Sequence, residues 1–166
     1  MRILSIDPGT THSAYTVYAE TDLVRHVAEW GKLENYDLLN LLLEHRIAYD
    51  TASIERLACY GMAVGKEVFE TAFWTGRFIM ALACKSGSYF RGHEPLLIER
   101  REVKMHLCNS MKAKDGNIRQ ALIDLLGPQG TKSKPGPTYS VSGDGWASLG
   151  VAVTTANKLK LALSQL

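Results

Sequence analysis

Residues 2–15, RILSIDPGTTHSAY, decide the fold. A short apolar run ends in Asp7 and is followed at once by Pro-Gly, which predicts a buried central strand rather than a helix. Gly9 permits a tight turn and leaves room for a ligand close to the backbone. Residues 13–18 are β-branched and aromatic and predict an antiparallel partner strand. Asp7 therefore ends a buried strand, where it either presents a metal ligand or opens an Asx-type turn.

The composition indicates one globular domain over residues 1–166, with 46% hydrophobic and 22% charged residues. No apolar run approaches the roughly 20 residues needed to cross a bilayer, and no secretory leader is recognisable. We therefore expect no membrane partner. Cys59, Cys84 and Cys108 are widely spaced, which disfavours a zinc site and a disulfide framework and favours a reducing cytoplasm.

The pattern downstream predicts further strands and helices around the first strand. Residues 25–31 predict a third strand of a meander, residues 35–48 an apolar helix, and residues 50–55 a return strand. Since helical crossovers usually join parallel strands, Glu55 is expected at the same sheet edge as Asp7. Residues 94–98 predict another short strand, and further helices follow. The last of these helices begins near Asp144, whose carboxylate could also serve as a helix cap.

A longer helix is predicted over residues 65–85. Its apolar residues recur with helical spacing on one side, so this stripe is predicted to face the core. The stripe consists of Val68, Phe69, Ala72, Phe73, Gly76, Ile79, Met80 and Ala83.

Positive charge is concentrated in one part of the chain, although the net charge is only +2. Between residues 100 and 134, eight basic residues face three acidic ones, which suits a phosphate backbone but also a solvated helix face. The loop over residues 129–137 is basic and rich in Pro and Gly, so it predicts either a polyanion contact or a solvated connection.

The predicted element order is that of an RNase H-like α/β fold, a mixed five-stranded sheet flanked by helices on both faces. Within it, the sequence resembles the RuvC family of Holliday-junction resolvases in pieces that occur in order over nearly the whole chain. These pieces are ILSIDPGTTHS (3–13), Ile54-Glu55-Arg56, Thr75-Gly76-Arg77, Val103-Lys104, KDGNIRQAL (114–122) and DGWASLGVA (144–152).

The resemblance implies that Asp7, Glu55 and Asp144 are catalytic residues and metal ligands. It also implies a second acidic residue one helical turn after Asp144, where this chain has Ala147. Either three carboxylates suffice with additional water ligands, or Asp144 alone replaces the pair, or the alignment slips locally.

The chemistry of phosphodiester cleavage independently favours a metal-binding role for these carboxylates. Two Mg²⁺ or Mn²⁺ ions can activate water, neutralise charge at phosphorus and support the leaving oxygen. Such ions prefer oxygen ligands, which suits carboxylates better than His or Cys. No small-molecule cofactor is expected.

Several basic residues are candidates for DNA binding, with solvated surface as the alternative for each. The resemblance also places Tyr60 where an aromatic ring stacks on unpaired bases, although Tyr60 could equally pack internally. The basic candidates are Lys104, Lys112, Lys114, Arg119, Lys132 and Lys134.

Together these features predict a crossover-junction endodeoxyribonuclease that acts on branched DNA in recombination and repair. Paired symmetric cuts imply a twofold homodimer, for which the helix around Phe69, Phe73 and Phe78 is the suspected interface. One alternative is a junction-binding protein of the same fold with weak or no activity. Another is an actin/Hsp70-like nucleotide-binding fragment, suggested by the Asp-x-Gly-Thr-Thr pattern of residues 7–11.

Overall fold

The computed structural model describes residues 1–165 apart from residues 60, 62 and 85–93. The described residues form five strands and five helices, named here in chain order. They are β1 (Arg2–Asp7), β2 (His12–Glu20), β3 (Arg25–Glu34), α1 (Asn35–Leu43), β4 (Thr51–Arg56), α2 (Lys66–Ala83), β5 (Leu96–Glu99), α3 (Arg100–Cys108), α4 (Asp115–Leu126) and α5 (Gly145–Leu163).

The strands form one mixed sheet in the order β3-β2-β1-β4-β5. β1 lies in the middle, antiparallel to β2 and parallel to β4, and β5 continues the parallel half. The α/β class and the mixed five-stranded sheet expected from the sequence are confirmed.

The two faces of the sheet carry separate apolar cores. Leu4 and Ile6 of β1 pack on the face covered by α1 and α2. Ile3 packs on the opposite face with α3, α4 and α5. Because side chains alternate along a strand, Asp7 belongs to the α5 face, like Ile3 and Ser5.

Buried hydroxyl groups fasten the first turns of α5 to the centre of the sheet. The Ser5 hydroxyl donates a hydrogen bond of 2.6 Å to the carbonyl of Ser148, and the Thr16 and Ser148 hydroxyls lie 2.6 Å apart. All three side chains are fully buried. Gly145 completes this close contact, since a Cβ there would lie 2.7 Å from the Trp30 ring. The start of α5, and with it Asp144, is therefore held against β1 and β2.

A second network fixes the turn after Asp7. The Gly9 N–H donates to the Ser13 hydroxyl, and Ser13 in turn donates to the side-chain oxygen of Asn35. The Asn35 amide nitrogen donates back to the Gly9 carbonyl. A Cβ on Gly9 would collide with the His12 carbonyl, so the turn requires glycine there.

Two sequence predictions about helices are wrong. α1 ends at Leu43 instead of near residue 48, because His45 adopts a left-handed conformation (φ 54°) that breaks the helix. The apolar stripe of α2 does not face the core: Phe69 is 66% exposed and Phe73 60% exposed. The residues of α2 that are buried against the rest of the fold are Thr71, Trp74, Phe78, Ala81 and Leu82.

None of the described helices combines the length and the apolar character that crossing a membrane requires.

Replacing Ser148 with Ala should lower the free energy of unfolding by about 1–2 kcal/mol, because the buried Thr16 hydroxyl loses its closest partner. Urea unfolding followed by circular dichroism measures this. Ser133→Ala is the matched control, since Ser133 is exposed and should change stability by less than about 0.5 kcal/mol. Equal stability of the two variants would show that the hydroxyl network does not hold α5.

Candidate active site

Asp7 and Glu55 lie side by side at the carboxyl edge of the sheet. The parallel register pairs Ile6 with Ile54, so the next residue on each strand is a carboxylate. Ile6 and Ile54 both pack towards α1 and α2, which places Asp7 and Glu55 on the α5 face. The structure thus brings together two of the three residues predicted to bind metal.

Asp7 is partly buried, and no ion pair or hydrogen bond to its carboxylate is found in the described part of the chain. Burial is the main cause that raises its pKa, to about 7, and the negative charges of Glu55, Asp144 and Asp115 raise it further. The positive charge of Arg100 partly opposes this rise. Both burial and the nearby negative charges therefore disfavour the ionised form of Asp7.

Glu55 is paired with a cation. Its carboxylate Oε2 is 3.2 Å from the Arg100 Nη1, and the Glu55 side chain is 16% exposed. Burial raises the pKa of Glu55, while Arg100 acts in the opposite direction by charge and by hydrogen bonding. The pair thus keeps a largely buried carboxylate close to a compensating charge.

Asp144 stands at the N-cap position of α5 but does not cap the helix with its side chain. Its Oδ2 instead lies 2.7 Å from the Nζ of Lys32, on β3. The Asp144 side chain is 53% exposed. The helix-cap alternative is thus not supported, and the Asp144 side chain lies at the edge of the site, paired with Lys32.

Sequence reasoning missed Arg100, Asp115 and Lys32 as parts of this site. Arg100, the first residue of α3, also contacts the Asp115 carboxylate through its second nitrogen, Nη2, at 2.5 Å. Asp115 is the first residue of α4 and is well exposed. The strand predicted over residues 94–98 was a signal for Arg100. A parallel strand next to β4 brings the residues that follow it, here Arg100, to the sheet edge that carries Glu55.

The donor set of the site fits a hard divalent cation. Asp7 and the three acidic groups that act on its charge, Glu55, Asp144 and Asp115, offer carboxylate oxygens, and a bound cation would relieve the negative charge that adds to the effect of burial on the pKa of Asp7. Still, among the described residues no three His, Cys, Asp or Glu side chains are close enough to form a metal-binding group as they stand. Glu55 and Asp144 are each engaged by a side-chain cation instead.

Several of the predicted DNA-binding residues lie near the site. Lys104, on α3, lies close enough to lower the pKa of Glu55. Lys114 precedes α4 beside Asp115, and Lys112 lies in the exposed turn before it. Arg119 lies over the Trp146 ring, 5.3 Å from the ring centre. Tyr60 lies outside the described residues.

Lys132 and Lys134 are exposed in a small hairpin that belongs to the predicted loop. An antiparallel bridge joins Gly130 to Pro135, and the backbones of Thr131 and Lys134 exchange two hydrogen bonds. The basic segment is therefore a folded turn rather than an irregular connection.

An open cavity of about 560 Å³ lies beside Asp115 and the segment that leads into α5. Its walls include Asp115, Arg119, Gln129, Gly143 and Trp146, so it extends from the start of α4 to the residue before Asp144. The cavity is therefore open space on the Asp115 side of the site.

Comparison with solved structures identifies the fold. A RuvC structure from Thermus thermophilus superposes with a TM-score of 0.73 at 18% identity, covering 98% of this chain and 97% of the other. The structure of T. thermophilus RuvC in complex with a Holliday-junction substrate gives 0.74 at 19% identity, with coverage of 98% and 96%. The fold is that of RuvC. The yeast mitochondrial Holliday-junction resolvase Ydc2 gives 0.59 at 12% identity and covers 92% of this chain and 78% of its own.

The resemblance to the RuvC fold drawn from sequence is thereby confirmed over nearly the full length of both chains. No protein-family model matches the sequence. No curated protein matches it either.

Asp7→Asn should stabilise the metal-free protein by about 2 kcal/mol more at pH 8 than at pH 5. The pKa of Asp7 is raised on folding, so wild-type stability falls as the pH rises from near 4 to about 7. Asn cannot ionise and escapes this loss. Urea unfolding in EDTA measures the difference, with exposed Asp22→Asn as the control. A gain that does not change with pH would contradict the raised pKa.

Proposed function

We propose that the protein is a metal-dependent endonuclease that cleaves branched DNA and resolves four-way junctions by paired nicks. The observation that carries this proposal is the adjacency of Asp7 and Glu55 at the carboxyl edge of a RuvC fold, with Asp144 at the start of α5. We further propose that residues 1–166 act as a single RNase H-like nuclease domain. Its three free cysteines suit the reducing cytoplasm.

In this proposal Asp7, Glu55 and Asp144 hold Mg²⁺ or Mn²⁺. When bound there, the metal supplies positive charge at the phosphate and lowers the pKa of water. The resemblance implies two ions. In this chain, however, Glu55 already pairs with Arg100 and Asp144 with Lys32, so two of the three carboxylates have a positive partner before any metal binds.

The basic residues around the carboxylates would position the DNA backbone. Lys104 and Lys114 flank the site from α3 and α4, and Arg119 forms part of the adjoining cavity. Lys112, Lys132 and Lys134 are exposed and would add further positive charge. Contacts of this kind fix register on the phosphates without reading sequence. One of the T. thermophilus RuvC structures contains a Holliday-junction substrate, and we extend that substrate class to this chain.

A homodimer through α1 and α2 is part of the proposal, because a four-way junction requires two symmetric cuts. The outer side of these helices exposes Phe69, Phe73, Met80 and Leu43. An apolar depression of about 650 Å³ lies between the two helices. An exposed apolar surface of this kind is typical of an interface. Phe78, suspected at the interface from the sequence, is fully buried and belongs to the core of its own chain.

One alternative is favoured by a specific observation. Ala147 replaces an expected acidic residue, and Lys32 and Arg100 occupy two of the remaining carboxylates. A protein of this fold that binds junctions without cutting them would show the same features. Junction binding without Mn²⁺-dependent nicking distinguishes that alternative from the nuclease.

Asp7→Asn should reduce Mn²⁺-dependent nicking of a synthetic four-way junction by at least about a thousandfold, because the central carboxylate of the site is lost. Junction affinity in a gel-shift assay should change less than threefold, since the basic residues are untouched. Asp22→Asn, in an exposed turn, is the control and should cleave normally. Nicking by Asp7→Asn at the wild-type rate would overturn the proposed function.

Phe73→Glu should convert the proposed dimer into a monomer, because a charge would be buried in the interface. Sedimentation equilibrium measures the mass. Leu125→Glu is the matched control, since Leu125 is an exposed apolar residue on α4, across the sheet from α2. A wild-type protein that is monomeric at micromolar concentration, or a dimeric Phe73→Glu variant, would contradict the interface.

A further inference from the structure

We propose that Arg100 and Lys32 are built-in counter-ions of the active site, so that each chain takes up one divalent cation instead of two. This inference rests on the proposed function, because it concerns the metal held by the same carboxylates. It assigns positioning roles to two basic residues that the sequence motifs do not include.

Asp7 lies among other negative charges. Asp7 has three acidic neighbours, Glu55, Asp115 and Asp144, each of which acts on its charge. They come from four different elements: the ends of β1 and β4 and the starts of α4 and α5. Four carboxylates would leave a strongly negative centre if nothing compensated them.

Two of the compensating positive charges belong to the chain itself. The Arg100 guanidinium bridges Glu55 and Asp115, with its two terminal nitrogens 3.2 Å and 2.5 Å from their oxygens. The Lys32 ammonium lies 2.7 Å from Asp144. Within the described residues, Asp7 is thus the one member of the four without such a partner.

The charges of the site balance with one divalent cation. Arg100 and Lys32 neutralise two of the four negative charges, and one divalent cation would neutralise the other two. Lys104 adds a third positive charge near Glu55, and a bound phosphodiester adds one negative charge. With one divalent cation the loaded centre is close to neutral, whereas a second would give it a net positive charge in a partly buried place.

Few side-chain ligands are left for a second ion. Ala147 offers no oxygen one helical turn after Asp144. A second ion would have to displace Arg100 from Glu55 or Lys32 from Asp144. Arginine does not lose its proton, and Arg100 is only 27% exposed between two carboxylates, so its displacement costs two charge-assisted contacts. Mg²⁺ is commonly held by one or two carboxylates and several waters, which Asp7 with Glu55 provides.

The role that follows for Arg100 is to hold Glu55 in place and to neutralise it where a second ion would otherwise do so. Lys32 does the same for Asp144 from the neighbouring strand β3. Both act through a carboxylate, so both are positioning residues.

The test is the number of Mn²⁺ ions bound per chain, counted both without DNA and with a four-way junction whose linkages cannot be cleaved, because the charge balance includes a bound phosphodiester. Electron paramagnetic resonance of free Mn²⁺ and isothermal titration calorimetry both measure it without any cleavage reaction. We expect one ion per wild-type chain, two per chain in the double variant Arg100→Gln/Lys32→Gln, and none above millimolar-level affinity in Asp7→Asn. Arg101→Gln, at the next position of α3, is the matched control and should bind one ion.

The single variant Lys32→Gln keeps the inference testable if the double variant misfolds. Lys32 is half exposed, so its replacement should leave the fold intact. In this variant the second ion should bind at least tenfold more tightly than in the wild type. Two ions per wild-type chain would overturn the inference while leaving the nuclease proposal standing. A double variant that is folded by circular dichroism but still binds one ion would also overturn it. A wild-type chain that binds no ion would overturn both proposals.

Discussion

The parallel pairing of β1 with β4 is the constraint on which the rest of the site depends. It aligns Ile6 with Ile54 and so forces two carboxylates next to each other where the strands leave the core. Both are removed from most of the solvent, and the pKa of Asp7 rises to about 7 as a result. Burying two neighbouring carboxylates is unfavourable, and the apolar cores on both faces of the sheet offset this by holding the strands in register.

The other elements of the site are brought to this edge by separate devices. Hydroxyl groups buried between β1, β2 and α5 hold the start of α5 against the sheet, which sets the position of Asp144. Arg100 joins β4 to the starts of α3 and α4 through two carboxylates. Arg100 and Lys32 thus compensate part of the negative charge around Asp7. In the proposed function, a divalent cation would balance the remainder.

Much of the fold could be predicted from the sequence because its signals are local. The Asp-Pro-Gly turn after an apolar run marks β1, and the helical crossover that follows the meander is enough to predict Glu55 at the same sheet edge as Asp7. The face of α2 could not be predicted in this way. That helix is apolar on two sides, and periodicity alone does not say whether Phe73 or Phe78 meets the sheet.

The cationic partners of the carboxylates were missed for a different reason. Lys32 and Asp144 are far apart in the sequence and on different elements, and their contact exists only once the sheet and α5 are assembled. In the sequence Arg100 is one more member of a basic segment, although it is the member that the sheet edge places against Glu55. Long-range ion pairs of this kind carry no signature in spacing or composition.

Anomalous scattering at the manganese absorption edge, from crystals grown with Mn²⁺, tests whether Asp7 and Glu55 together bind a divalent cation. We expect a peak coordinated by the carboxylates of Asp7 and Glu55 at the carboxyl edge of the sheet. Fully loaded crystals with no peak there, or with manganese bound only at other acidic residues, would contradict it.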